Sequence, residues 1–267
     1  MRIRIDDLEL AYSDEGSGVP VLFVHGFPFR RGVWDEQVRA LRSSYRVIAP
    51  DLRGFGESPA GDGPATMERF AEDLRALLER LGSGPAVVVG HSMGGYVALA
   101  FARHCSAMLR GLCLVASKAG ADSPEAATGR RALAERVRRE GPQVVVDAMA
   151  PKMLAKGASD PRRDPQVREL MAPANPAGWS AALVGMADRV AASDLLPRIA
   201  APTLVATGAD DVLIPAEESR HMASAIPGAR LAVLPQAGHL VAWERPAEFN
   251  RTLGDWLATA IAPPRSR

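Results

Sequence analysis

Short apolar runs alternate with amphipathic segments along the first half of the chain, and this alternation restricts it to few architectures. The runs at 21–24, 45–49, 86–89 and 112–116 are apolar at nearly every position, which is typical of strands buried on both faces. The segment 67–81 repeats apolar residues at helical spacing. The sequence therefore predicts an α/β fold with a parallel sheet covered by helices. Further strands are predicted at 3–5, 8–12, 203–207 and 230–234, and further helices at 34–41, 93–104, 216–225 and 246–259.

The alternation stops between about residues 118 and 197, where the apolar residues follow a helical period and no strand is predicted. Prolines break this stretch into helices predicted at 125–139, 143–154, 165–172 and 179–190. We therefore expect a main domain formed by 1–117 and 198–267, with a helical cap, 118–197, inserted into it. The tail 263–267 is predicted to be disordered.

Charge and composition exclude several classes of function. The formal net charge is +1, so neither nucleic acid nor a membrane surface is an expected partner. The N-terminal sequence MRIRIDDLELAY has no apolar core of the kind found in signal peptides, and no apolar run is long enough to span a bilayer. We expect a cytoplasmic monomer or homodimer, with Cys105 and Cys113 as buried free thiols.

No group of His, Cys, Asp and Glu has the spacing of metal ligands, so the sequence predicts neither a metal nor another cofactor. The expected partner is a small molecule.

The stretch VVVGHSMGGYVALAFA, residues 87–102, runs from a predicted strand through G-x-S-x-G into a predicted helix. A sharp turn of this kind lifts a serine above the sheet at a helix N-terminus, where the helix dipole favours negative charge. Ser92 is therefore a candidate nucleophile. The alternative interpretation is a glycine-rich helix start in which Ser92 is only an N-cap.

A serine nucleophile needs a base, and the base needs a buried acid. Of the five histidines, His239 lies just after the last predicted strand, at the sheet edge where open α/β folds place their sites. Asp210 and Asp211 follow the strand at 203–207, at the same edge. The residues alone leave open which of these two carboxylates is the acid.

Acyl transfer also needs two N–H donors for the developing oxyanion. The backbone N–H of Met93, directly after Ser92, is one candidate. The other is the N–H of Phe27, because Gly26 lets the loop after strand 21–24 turn inward. Without the serine turn, His25-Gly26 would be read equally well as a strand-ending turn with no function.

These residues carry a clear resemblance to the α/β-hydrolase superfamily, which covers nearly the whole chain. The resemblance implies a mostly parallel eight-stranded sheet flanked by helices, with an inserted helical cap. It also implies that Ser92 is the nucleophile, His239 the base and Asp211 the acid, with Phe27 and Met93 as oxyanion donors. The motifs that carry it are VLFVHGFP, VIAPDLRGFGES, VVVGHSMGGYVALAFA, TLVATGADDVLIP and LPQAGHLVAWERPAEFN.

Within the superfamily the chain looks most similar to bacterial carboxylesterases and 3-oxoadipate enol-lactone hydrolases, a likeness carried by the cap. The resemblance favours Asp211 over Asp210, since Asp211 stands four residues before Pro215 as in the family. Dehalogenases and epoxide hydrolases of this fold use an aspartate nucleophile where this chain has Ser92.

The expected function is hydrolysis of small, short-acyl carboxylic esters through an acyl-enzyme on Ser92. The alternative is an enol-lactone hydrolase or a C–C bond hydrolase with the same triad; Arg30 and Arg31 are then candidates for holding a second carboxylate. A third interpretation is a receptor that binds its ligand without turnover.

The cap is expected to close a small apolar pocket over Ser92, because its helices carry apolar stripes that must be covered. The alternative is that these residues form the cap's own core, which we expect for about half of them. The candidate lining residues are Val144, Val145, Met149, Met153, Leu154, Leu183 and Met186.

Overall fold

The strands of the computed structural model, which describes residues 1–61, 65–155 and 163–261, form one sheet. They are β1 Arg2–Ile5, β2 Leu8–Glu15, β3 Pro20–Val24, β4 Arg46–Pro50, β5 Ala86–His91, β6 Leu109–Val115, β7 Thr203–Gly208 and β8 Arg230–Leu234. Their order is β1-β2-β4-β3-β5-β6-β7-β8, with β2 antiparallel to both neighbours and the rest parallel. The predicted mostly parallel, eight-stranded sheet is confirmed. The predicted tail 263–267 lies outside the described residues.

Helices cover the sheet and fill the connection between β6 and β7. They are α1 Asp35–Leu41, α2 Met67–Arg80, α3 Met93–His104, α4 Pro124–Glu140, α5 Gln143–Met149, α6 Arg163–Leu170, α7 Pro176–Asp188, α8 Ala216–Ala225, α9 Val241–Glu244 and α10 Pro246–Ala260.

The centre of the sheet is the centre of the main core. Every residue of β3, β5 and β7 is buried, as expected for parallel strands with helices on both faces. Helix α3 is buried along almost its whole length. Helix α2 is amphipathic instead, and begins where the Thr66 side chain accepts a hydrogen bond from the Arg69 N–H. This packing holds the C-terminal ends of β5, β7 and β8 at one edge.

The described part of the segment between β6 and β7 is helical, and α4 and α7 pack against each other. Ser180 Oγ on α7 donates a hydrogen bond to the Ala134 carbonyl on α4 at 3.1 Å. Gly185 of α7 lies directly against the Ala65 carbonyl of the main domain, so that a Cβ at this position would overlap it. We refer to α4–α7 as the cap helices.

Two boundaries in this segment differ from the prediction. The helix expected at 143–154 ends as an α-helix at Met149 and continues as a 3₁₀ turn, Ala150–Lys152, because Pro151 cannot donate the next helical hydrogen bond. Helix α7 begins at Pro176, with the Asn175 side chain accepting from the Gly178 N–H at 3.1 Å.

Candidate active site

Ser92 stands at the sharp turn between β5 and α3, in a backbone conformation that side chains rarely adopt (φ 53°, ψ −115°). Its N–H donates to the Val115 carbonyl at 2.8 Å, and its own carbonyl accepts from Ser117 Oγ at 2.9 Å. Gly94 lies against the Val24 carbonyl, leaving no room for a Cβ. The turn is thus fixed from both sides, and Ser92 has no side-chain capping hydrogen bond to its helix.

The side chains of Ser92, His239 and Asp211 form a continuous hydrogen-bonded chain. His239 Nε2 lies 2.9 Å from Ser92 Oγ, and its Nδ1 lies 2.8 Å from Asp211 Oδ2. His239 and Asp211 are both buried. The structure therefore brings His239 together with Ser92, which lies 147 positions before it in the sequence, and with Asp211, which lies 28 positions before it.

The environment of Asp211 suits a charged carboxylate. Its Oδ1 accepts hydrogen bonds from the N–H groups of Leu213 (2.8 Å) and Ile214 (3.0 Å). Burial alone would raise the pKa of Asp211, but the hydrogen bond with His239 and these backbone donors lower it overall. Asp210, the neighbouring candidate, is exposed and does not contact His239.

The two expected oxyanion donors flank Ser92. Met93 is the first residue of α3, so its N–H has no acceptor within the helix. Gly26 lies so close to the turn that a Cβ on it would come 3.0 Å from Ser92 Cβ, which puts Phe27 beside the serine. In the described part of the chain the Phe27 N–H donates no hydrogen bond. Both N–H groups are therefore available to an oxyanion.

Two further buried histidines, His25 and His91, form hydrogen bonds with backbone groups beside this arrangement. His25 Nε2 accepts from the Leu52 N–H at 3.0 Å, so the proton on Nδ1 is free to donate to the Gly26 carbonyl at 3.0 Å. His91 Nε2 lies 2.9 Å from the backbone carbonyl of His239. Burial is the main cause that lowers the pKa of His91 to about 3, and the nearby His239 is the second, so the His91 ring stays neutral.

A cavity of about 150 Å³ opens beside Ser92 between the main domain and the cap helices. Of the seven expected lining residues, Met149 and Met186 line it. Larger hollows, of about 500 and 430 Å³, lie elsewhere and contain no member of the hydrogen-bonded chain. The cavity lining consists of Phe27, Ser92, Tyr96, Lys118, Arg130, Met149, Met186, Leu213, Ile214 and His239.

The other five expected lining residues have a different place, and the pocket assignment is corrected for them. Val145, Met153 and Leu183 are fully buried, and Val144 and Leu154 pack against the same core. None of these five residues lines the cavity beside Ser92.

The arginines considered for a second carboxylate also lie elsewhere. Arg30 Nε donates to the Ala172 carbonyl at 2.6 Å, and Arg31 pairs with Asp51 and Glu57. Neither lines the cavity beside Ser92.

Sequence reasoning missed a charged cluster in the cavity wall, formed by Lys118, Asp122, Arg130 and Arg189. Asp122 accepts from Arg130 Nε at 2.5 Å and from an Arg189 NH group at 3.0 Å, and Lys118 Nζ lies 3.2 Å away. Burial alone would raise the pKa of Asp122, but the two arginines lower it to about 2. No motif or spacing in the sequence indicated this cluster.

Glu244 ties the loop that carries His239 to the cap. This buried carboxylate accepts from the Gly238 N–H at 2.7 Å and from the Ala155 N–H at 3.1 Å. Beside it, the Leu240 N–H donates to the Met153 carbonyl at 3.0 Å. These three hydrogen bonds hold the loop from the residue before His239 to the residue after it.

The comparison with known families agrees with this geometry. The family described as the alpha/beta hydrolase fold matches residues 19–246. The chain belongs to this family. The predicted resemblance is thereby confirmed, and the chain is a hydrolase by family.

The chain is also similar to individual solved structures and curated proteins of this family. A thermophilic esterase from Thermogutta terrifontis, solved with malate bound, is 44% identical, with a TM-score of 0.94 over 97% of this chain and 99% of its own. The enol-lactonase of Burkholderia xenovorans is 28% identical, with a TM-score of 0.88 over 97% and 100%. RutD of Variovorax paradoxus, named for carbamate hydrolysis, is 33% identical over 92% of this chain and 94% of its own.

Two other features bear on function. None of the described helices combines the length and apolar character needed to cross a membrane. Within residues 1–61, 65–155 and 163–261, His, Cys, Asp and Glu side chains nowhere gather in a group of three that could hold a metal ion.

Proposed function

We propose that this α/β hydrolase cleaves small carboxylic esters through an acyl-enzyme on Ser92. The observation that carries the proposal is the chain of hydrogen bonds from Ser92 Oγ through His239 to Asp211, which ends at a cavity. The esterase of Thermogutta terrifontis, 44% identical over nearly its full length, supports ester chemistry.

In the first half of the reaction, His239 Nε2 takes the proton of Ser92 Oγ as the oxygen attacks the ester carbonyl carbon. Asp211 stabilises the imidazolium that forms, and keeps the Nδ1 proton on its own side of the ring. The N–H groups of Phe27 and Met93 stabilise the oxyanion. His239 then returns the proton to the departing alcohol.

In the second half, water takes the place of the alcohol. His239 removes a proton from the water, the resulting hydroxide attacks the acyl carbon, and Ser92 Oγ leaves with the proton that His239 returns. A cavity of about 150 Å³, bounded by Met149 and Met186, suits a short acyl group.

The Ser92→Ala variant tests the nucleophile. Its hydrolysis of p-nitrophenyl butyrate should fall by at least about 10³-fold, because only the oxyanion donors and binding remain. Circular dichroism should show unchanged secondary structure, and a phosphonylating reagent should label the wild type at Ser92 alone. Turnover within tenfold of the wild type contradicts the proposal. If the wild-type protein instead releases a single burst of p-nitrophenol without steady turnover, it is a ligand receptor.

Lactone hydrolysis by the same residues is the second candidate, favoured by the similarity to the enol-lactonase of Burkholderia xenovorans. The same attack opens a lactone, except that the alcohol stays attached to the acyl group. Comparing kcat/KM for p-nitrophenyl acetate with that for an enol-lactone decides between the two. A clear preference for the lactone would replace the ester assignment.

A further inference from the structure

Three cations share a single carboxylate in the cavity wall. Lys118, Arg130 and Arg189 all pair with Asp122, which leaves the group with a net charge of +2. Lys118 and Arg130 line the same cavity as Ser92. Lys118 lies three residues after the end of β6, and Arg130 lies on α4.

The Arg189 side chain is buried, and its guanidinium contacts other groups of the protein. Its side chain is only 4% exposed, and its guanidinium stacks on the Tyr96 ring, with Cζ 3.9 Å from the ring centre. It also donates to the carbonyls of Gly120 (2.5 Å) and Met186 (3.1 Å). Arg189 is thus held by Asp122, by two backbone carbonyls and by the Tyr96 ring, and it does not line the cavity beside Ser92.

Lys118 and Arg130 are different. Their side chains are 24% and 28% exposed, and in the described part of the chain Asp122 is the sole acceptor for each. An ammonium has three N–H donors and a guanidinium five, so most of their donors have no protein acceptor. Because one carboxylate is shared among three cations, a net charge of +2 remains at the wall of a partly enclosed cavity, and an anion in the cavity would offset its desolvation cost.

Five apolar side chains line much of the remaining wall: those of Phe27, Met149, Met186, Leu213 and Ile214. A ligand that fits both parts of the lining has a short apolar body and an anionic end. Among the described residues, no carboxylate lines the cavity itself, and the nearest one in the cluster, Asp122, is outnumbered by its three cations.

From this arrangement we propose that Lys118 and Arg130 form a carboxylate-binding subsite, and that the substrate is an ester or lactone carrying a free carboxylate besides the group that is cleaved. The inference rests on the proposed function, because it places this substrate's acyl carbon at Ser92. Arg130 can bind the carboxylate with two parallel N–H donors, while Lys118 adds a point charge.

Matched pairs of substrates test the subsite. The monoethyl esters of succinate, glutarate and adipate carry the carboxylate on the acyl side, and acetoxyacetate carries it on the alcohol side. The neutral counterpart of each has an isopropyl group in place of the carboxylate. We expect at least one anionic ester to exceed its counterpart in kcat/KM by tenfold or more, with acid release followed at constant pH.

Lys118→Met and Arg130→Met should each lower this anionic-to-neutral ratio by about tenfold, and Arg130→Lys should restore part of it. The matched control is Arg131→Met. Arg131 is the next residue on α4 and pairs with Asp188 on the exposed surface, so its loss should leave the ratio unchanged. A purely structural role for Lys118 and Arg130 would lower both rates together and keep the ratio.

A binding measurement gives a second readout that does not depend on turnover. Glutarate should raise the melting temperature of Ser92→Ala, and should not do so once Arg130→Met is added. Ser92-dependent hydrolysis of neutral esters, without an anionic preference or a change in ratio, overturns the subsite and leaves the proposed function standing. If no ester is hydrolysed, both proposals fall.

Discussion

Replacing Asp211 by Asn should disable the enzyme through the tautomer of His239. Asp211 Oδ1 accepts two backbone N–H groups, those of Leu213 and Ile214, while Oδ2 faces His239 Nδ1. An asparagine keeps the backbone hydrogen bonds only with its oxygen on that side. Its NH₂ group then faces His239 Nδ1, so the ring proton moves to Nε2, where it blocks proton transfer from Ser92.

The size of the effect follows from the orientation of this amide. Turning the amide over restores the productive tautomer, but it leaves two buried N–H groups facing an NH₂ group. Each such unsatisfied donor costs about 1–3 kcal/mol, so the productive orientation lies about 2–6 kcal/mol higher. At 1.36 kcal/mol per factor of ten, kcat/KM should fall by a factor between about 30 and about 2.5 × 10⁴. Losing the negative charge beside the imidazolium favours the upper end.

The assay compares kcat/KM of Asp211→Asn and Asp210→Asn on p-nitrophenyl butyrate, with melting temperatures as a check on folding. Asp210 is exposed and does not contact His239, so its variant should stay within about twofold of the wild type. Activity of Asp211→Asn within tenfold of the wild type, in a folded protein, would refute the tautomer argument. Equal losses in both variants would do the same.

Three further predictions concern the cap, the charged cluster and the acyl group. Gly185→Ala should cost about 1–3 kcal/mol in chemical denaturation because its Cβ overlaps the Ala65 carbonyl, whereas Gly129→Ala, at an open position of α4, should not destabilise. The pKa of Asp122, about 2, lies below its ordinary value, so its stabilising contribution of about 2 kcal/mol is present above about pH 4 and is lost as the pH falls through about 2. Asp122→Asn should lack this part of the acid dependence, and an identical dependence in both proteins would contradict it. For neutral p-nitrophenyl esters, kcat/KM should rise by up to about fourfold per methylene from acetate to about butyrate, since each buried methylene contributes up to about 0.8 kcal/mol, and then fall. A maximum at octanoate or longer would exclude a closed cavity.

Local patterns were sufficient to predict the sheet. Most strands of the sheet contain a short apolar run, and the neighbouring helices repeat apolar residues at helical spacing, so the local pattern agrees with the observed elements. The same holds for the turn at Ser92, where the glycines reflect close backbone contacts that a side chain would prevent. Between Asp210 and Asp211 the local sequence was neutral, since both follow the same strand, and only the resemblance to a family favoured one.

The cavity could not be predicted in this way. Helical period identifies the apolar side of α5 and α7, but not which of its residues border a cavity. Leu183 and Met186, three residues apart, both belong to the buried core, and only Met186 lines the cavity. The charged cluster joins residues from after β6, from α4 and from the end of α7, and their pairing with Asp122 depends on how these elements meet. The spacing of these residues in the sequence does not indicate that the three elements contact each other.

The anchoring of Glu244 has a consequence for building chimeras of this enzyme with its relatives. Glu244 accepts hydrogen bonds both from Gly238, just before His239, and from Ala155, three residues after the 3₁₀ turn. The cap and the His239 loop should therefore be exchanged as one unit, although about eighty residues separate them in the sequence. A transplanted cap that leaves the host's own 236–244 loop in place would bring a mismatched neighbour to the histidine. Recombination should therefore move the two segments together.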